Sequence, residues 1–150
     1  MRTIVRVATA AMAIIGVTAG AAGAKAGGAP AVPLTTGQET GQVTSGAGGF
    51  FSYTIDGSEL CYTLEVRDLT AAPIGAHIHL GDRNVEGAIV VPLTTPPAAT
   101  STVSACITAS EGGAMTPAEL AAIAADPGAY YVNVHTPTNP GGEVRGQLKG

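Results

Sequence analysis

The chain has 150 residues, 45% hydrophobic and 12% charged, with a formal net charge of −4. That length suits one domain with one core, and so apolar and weakly charged a chain is not intrinsically disordered. Seven Lys+Arg argue against a nucleic-acid partner, which needs clustered cations, while 21 Gly and 10 Pro interrupt the chain too often for a helical bundle and suit short strands joined by turns.

The first element is a leader. Arg2 and Arg6 give a positive start, Val7 to Val17 are apolar apart from Thr9 and Gly16, and Ala22-Gly23-Ala24 forms an A-x-A cleavage site. This pattern predicts a secretory signal peptide over residues 1–24, cut after Ala24 or, as the alternative, after Ala26. The apolar stretch is too short for a membrane anchor, which needs about 20 residues. The mature chain is then expected to be exported, with no transmembrane anchor. Its five Lys+Arg face eleven Asp+Glu, a net charge of −6. The mean hydropathy of +0.29 belongs in good part to the leader.

Residues 25–33 read as a small-residue linker, with the domain over 34–150. Strand-like runs follow, each bounded by turn residues. Phe50 to Ile55 ends at Asp56-Gly57, a hairpin signal, and Glu59 to Leu69 is the expected antiparallel partner. Ala76 to Leu80, Ala88 to Val91, Ser101 to Thr108, Ala129 to His135 and Glu143 to Leu148 complete the series. This spacing predicts an all-β sandwich or barrel of seven or eight strands. One short helix interrupts it. Thr116-Pro117-Ala118-Glu119 carries a capping Thr, Pro at the first helical position and Glu three after the cap, and Asp126-Pro127-Gly128 ends it. A helix between two late strands is expected to cross one end of the fold.

Two cysteines in an exported chain suggest one disulfide. Leu60, Tyr62, Leu64 and Val66 form the apolar phase of their strand, and Cys61 lies in the other phase with Thr63, Glu65 and Arg67. Val103, Ala105 and Ile107 likewise leave Cys106 in the polar phase. Cys61 and Cys106 are therefore expected to meet across neighbouring strands, with two buried free thiols as the alternative.

All three histidines fall in two segments. One is Gly75-Ala76-His77-Ile78-His79-Leu80-Gly81-Asp82. The other is Tyr130-Tyr131-Val132-Asn133-Val134-His135-Thr136, continuing through Asn139-Pro140-Gly141-Gly142-Glu143-Val144-Arg145-Gly146-Gln147-Leu148. These segments, in this order, resemble the CHRD domain, the module first recognised in chordin and found in many secreted bacterial proteins. The resemblance covers about residues 31–150, and Asn133, Gly142, Glu143, Arg145 and Gly146 are among the motif positions. It implies an extracellular Greek-key β-sandwich or barrel of immunoglobulin-like or Cu/Zn superoxide-dismutase-like shape. The function it implies is a non-catalytic binding module, whose partner would be an extracellular protein or a cell-envelope ligand.

The residues themselves raise a second function, the binding of one copper or zinc ion. His77 and His79 share a strand face, and His135 shares its face with Asn133 and Tyr131. Imidazole nitrogens on a rigid sheet suit Cu(II) or Zn(II), and a shared ion requires them within about 4 Å of one another. The His-x-His pair is similar to the first copper-ligand pair of Cu/Zn superoxide dismutases, but three histidines in all cannot build the dinuclear centre of those enzymes. Asp82 or Glu143 is a conceivable additional ligand. The alternative role for the three histidines is structural: hydrogen bonds to backbone carbonyls or acids that tie the Gly81–Gly87 and Pro137–Gly142 loops. Glu143 and Arg145, two apart, read as a surface or edge ion pair with Asp82 or Glu86; the other role for Arg145 is to clamp a ligand.

Overall fold

The computed structural model describes residues 31–150; the expected leader lies outside them. Eight strands form one antiparallel sheet: β1 Val32–Thr35, β2 Gly48–Asp56, β3 Glu59–Arg67, β4 Gly75–Leu80, β5 Ile89–Pro92, β6 Ser101–Thr108, β7 Tyr130–His135 and β8 Val144–Gln147. Their order across the sheet is β5-β4-β7-β8-β1-β2-β3-β6. The sheet curls into a half-barrel around the core, so the expected all-β class and the count of strands hold. The first two residues of β1, Val32 and Pro33, fall in the stretch read as linker.

Alternation places the core. Val32 and Leu34, Phe51 and Tyr53, Leu60 to Val66 at every second position, Ala76 and Ile78, and Val132 and Val134 are all buried on the concave face. Phe51 packs at 5.8 Å on Tyr53 and at 5.6 Å on Tyr62, giving the centre of the core two stacked aromatic contacts. The β2–β3 hairpin pairs Asp56 with Glu59, so the two-residue loop is Gly57-Ser58, one position later than the Asp56-Gly57 signal. Gly57 takes the left-handed conformation at φ 56°, which a residue with a Cβ adopts at a cost.

The helix α1, Pro117–Ala125, links edge strand β6 to central strand β7 and buries Leu120 and Ile123. Its start is the expected capping box: Thr116 Oγ1 accepts from the Glu119 N–H, and Glu119 accepts from the Thr116 N–H at 2.7 Å. Cys61 stands directly opposite Cys106 across β3 and β6, and the two form a disulfide on the face away from the core. The polar phase of both cysteines is thereby explained.

Candidate metal centre

The three histidines meet on the outer face of β4 and β7. Their register pairs His77 with Asn133, His79 with Tyr131, and Gly75 with His135. Residues of one phase in two paired strands share a face, so the sequence alone brings these rings together once β4 and β7 are neighbours. Ring centroids lie 5.0 Å apart for His77 and His135, 5.6 Å for His77 and His79, and 5.7 Å for His79 and His135. Gly75 leaves room for this. A Cβ there would stand 3.0 Å from Cε1 of His77.

Each ring is held by one nitrogen or by its neighbours and keeps another free. His79 Nδ1 lies 3.0 Å from the Gly87 carbonyl, and His135 Nδ1 lies 3.0 Å from the Pro140 carbonyl. A carbonyl only accepts, so each Nδ1 carries the proton and each Nε2 carries a lone pair. Those two Nε2 atoms, and Nδ1 of His77, are buried without a hydrogen-bond partner. One nitrogen from each of the three rings lies within 4.8 Å of the others. This bound is looser than the about 4 Å of a closed ligand set.

The structural and metal roles are therefore compatible. The carbonyl-bound nitrogens tie the Gly81–Gly87 and Pro137–Gly142 loops, as the structural alternative required. The same bonds fix the tautomer and orientation that a ligating imidazole needs. Burial lowers the pKa of all three imidazoles; for His77 the neighbouring His135 and His79 lower it further, while the Gly87 and Pro140 carbonyls partly oppose the shift at His79 and His135. The rings are neutral at neutral pH, the form that binds a metal.

Around the histidines lies a buried polar layer. Tyr131 stacks on His79 with centroids 4.8 Å apart and planes 12° from parallel, and its hydroxyl accepts from the Gly87 N–H. The Arg145 guanidinium carbon sits 3.3 Å from the Tyr131 ring centroid, and its Nη2 donates to the Asp82 carbonyl. Gln147 donates to the Gly81 and Gly128 carbonyls, and Asn133 donates to the Gly141 carbonyl. Gly142 has a φ of 133° and packs where a Cβ would collide with Asn133 and Glu39. Gly146 faces the core instead, where a Cβ would lie 2.5 Å from the Pro33 carbonyl.

The expected surface or edge ion pair with Asp82 or Glu86 is not formed among the described residues. Glu143 is 0% and Arg145 1% exposed, and Arg145 meets Asp82 through its backbone carbonyl rather than its carboxylate. The Glu143 carboxylate accepts from the hydroxyls of Ser45, Thr70 and Thr136 and from the Thr70 N–H. Burial pushes this carboxyl up, but the hydrogen bonds outweigh burial and hold it below the usual range. Its oxygens are thus engaged away from the histidines, and among the described residues neither Glu143 nor Asp82 belongs to the three-histidine cluster.

Sequence reasoning missed Glu39, which follows a 3-10 turn after β1. It is 8% exposed, and its Oε1 is buried without a partner. Burial pushes its carboxyl up to about 7, against the pull of the Arg145 charge and a hydrogen bond with Asn133.

The family follows from these positions. The pattern of the CHRD domain matches residues 31–148, from just before β1 to just past β8. The chain belongs to the CHRD domain family. No curated protein and no solved structure matches it. CHRD domains are extracellular-type modules, and the Cys61–Cys106 disulfide agrees with an oxidising compartment. Among the described residues no helix is long and apolar enough to cross a membrane. Of the residues singled out in the sequence, Asn133 and Arg145 are buried on the side of the histidines, whereas Gly146 packs against the core and Glu143 binds the loops.

Proposed function

We propose that this CHRD module is exported by its leader and binds one copper or zinc ion through His77, His79 and His135. The observation that carries the reading is the set of three buried, unpartnered ring nitrogens on one sheet face, two of them oriented by backbone carbonyls. A buried acceptor without a partner is costly, and a metal ion would satisfy all three at once. The neutral state of the rings supports it, and so does the second set of bonds that holds them, which is the usual surrounding of ligating histidines.

The test is elemental analysis of the purified protein after loading with copper or zinc and exhaustive dialysis. About one equivalent per chain is expected, and His79→Ala is expected to lose it, since an ion with two imidazoles binds on the order of a hundredfold more weakly. Less than about a tenth of an equivalent on the unaltered protein overturns the reading, because a site this well oriented fills on exposure to metal.

A further inference from the structure

Arg145 stacks on Tyr131, and Tyr131 stacks on His79, so a buried cation stands two ring spacings from one of the three imidazoles. Its Nε has no hydrogen-bond partner, and both Arg145 and Tyr131 are 1% exposed. Water therefore screens this charge little. Imidazole ligates a metal as a neutral donor, so the ligand set brings no negative charge to an ion. The acidic groups nearest the loops differ in weight: Asp82 and Glu86 are exposed and screened, and Glu39 is the buried one that faces Arg145.

We infer that the three-histidine site holds copper as Cu(I) in preference to divalent ions, and that Arg145, acting through Tyr131, is the positioning residue that sets this preference. The inference rests on the metal reading above. A neutral, buried ligand set penalises each further unit of charge on the ion. The two stacking distances, 3.3 and 4.8 Å, end at the His79 ring, and an ion lies beyond it; at about 10 Å and an effective dielectric of about 20, repulsion from one fixed cation disfavours an extra unit charge on the order of tenfold. Glu39, of the opposite charge when ionised, acts in the opposite direction. Reduction of bound Cu(II) takes one electron and leaves Cu(I) on the same three nitrogens; ascorbate supplies the electron in the test.

The experiment is competition. Cu(I) affinity is read against bicinchoninate in the presence of ascorbate, and Zn(II) affinity against a chromophoric zinc chelator. The unaltered protein is expected to keep Cu(I) against equimolar Zn(II). Arg145→Met is expected to lower the Cu(I) to Zn(II) affinity ratio about tenfold, while Arg145→Lys keeps it within about threefold. At pH 8, where the Glu39 carboxyl is ionised, Glu39→Gln removes the opposing charge and is expected to raise the ratio about threefold, which tests the same field in a variant that leaves the stack in place. Displacement of Cu(I) by equimolar Zn(II) from the unaltered protein overturns the inference and leaves the metal reading standing. An unmoved ratio in Glu39→Gln also overturns it. Failure to bind either ion overturns both.

Discussion

The two halves of the single sheet share a core face and differ on the other. Over β2, β3 and β6 the outer face is open: Thr63 meets Ser104 by a hydroxyl hydrogen bond, and Arg67 pairs with Glu65 at 3.5 Å with both side chains well exposed. Over β4, β7 and β8 the outer face is roofed by loops, so β7 is buried at all six of its positions. Strand geometry is the same in both halves, and alternation buries Val132 and Val134 as it buries Leu64 and Val66. A strand with both faces covered would ordinarily be apolar throughout. Here the second face carries Tyr131, Asn133 and His135, each satisfied or constrained by a loop that reaches over it. Polar residues buried at such expense of desolvation mark the half of the molecule that carries the proposed metal site.

The sharpest way to break this distinction is Glu143→Ala. Its carboxylate joins Ser45 ahead of β2, Thr70 after β3 and Thr136 after β7, so it fastens loops from both halves at one buried point. Removing it leaves the buried Thr136 hydroxyl and the donors of half-buried Ser45 and of Thr70 without their charged acceptor, and urea denaturation is expected to show a loss of about 3–5 kcal/mol. A loss below about 1 kcal/mol would mean that the roof is held elsewhere.

The next effect separates the halves. The Cys61–Cys106 disulfide joins β3 to edge strand β6, at the far end of the strand order from β4 and β7. Closing a loop across 45 positions stabilises chiefly by limiting the unfolded chain. The double variant Cys61→Ala, Cys106→Ala is expected to lose about 2–4 kcal/mol by urea denaturation while the folded protein keeps its metal affinity within about twofold. Metal loss in the folded double variant would show that the two halves are coupled through the sheet.

How much of this was legible in the sequence divides along the same line. In the open half, period-2 alternation named the core face from Leu60 to Val66 and left Cys61 and Cys106 in the phase from which they pair. In the roofed half, the shared phase of His77, His79 and His135 was legible, because strand pairing keeps phase. Their roof was not. Arg145 and Glu143 look like surface residues because a charge is buried only when partners compensate it, and theirs come from Ser45, Thr70, Tyr131 and the Asp82 carbonyl, far away in the chain. Asp82 contributes through its backbone, which no side-chain pattern announces. Glu39 lies in the 34–48 stretch, where no period singles out a buried position.

Glu39 also provides the smallest of the expected effects and the one that reads the roofed half by pH. Its carboxyl is raised from an ordinary 4.5 to about 7, so between these values the folded chain binds a proton that the unfolded chain has released. Stability from this group is therefore present at pH 4.5 and below and falls as pH rises through 7. The three histidines act with the opposite sign. Their lowered pKa values make the unfolded chain the better proton acceptor below about 6.5, so their contribution is lost as pH falls. Subtracting the stability profile of Glu39→Gln from that of the unaltered protein removes the histidine part, which both share. The variant is expected to match the unaltered protein near pH 5 and to exceed it by about 1–3 kcal/mol at pH 8, as measured by urea denaturation of the metal-free protein. A difference that is flat from pH 5 to 8 would place the Glu39 carboxylate in solvent, and the roof over β7 would then be open to water as the other half is.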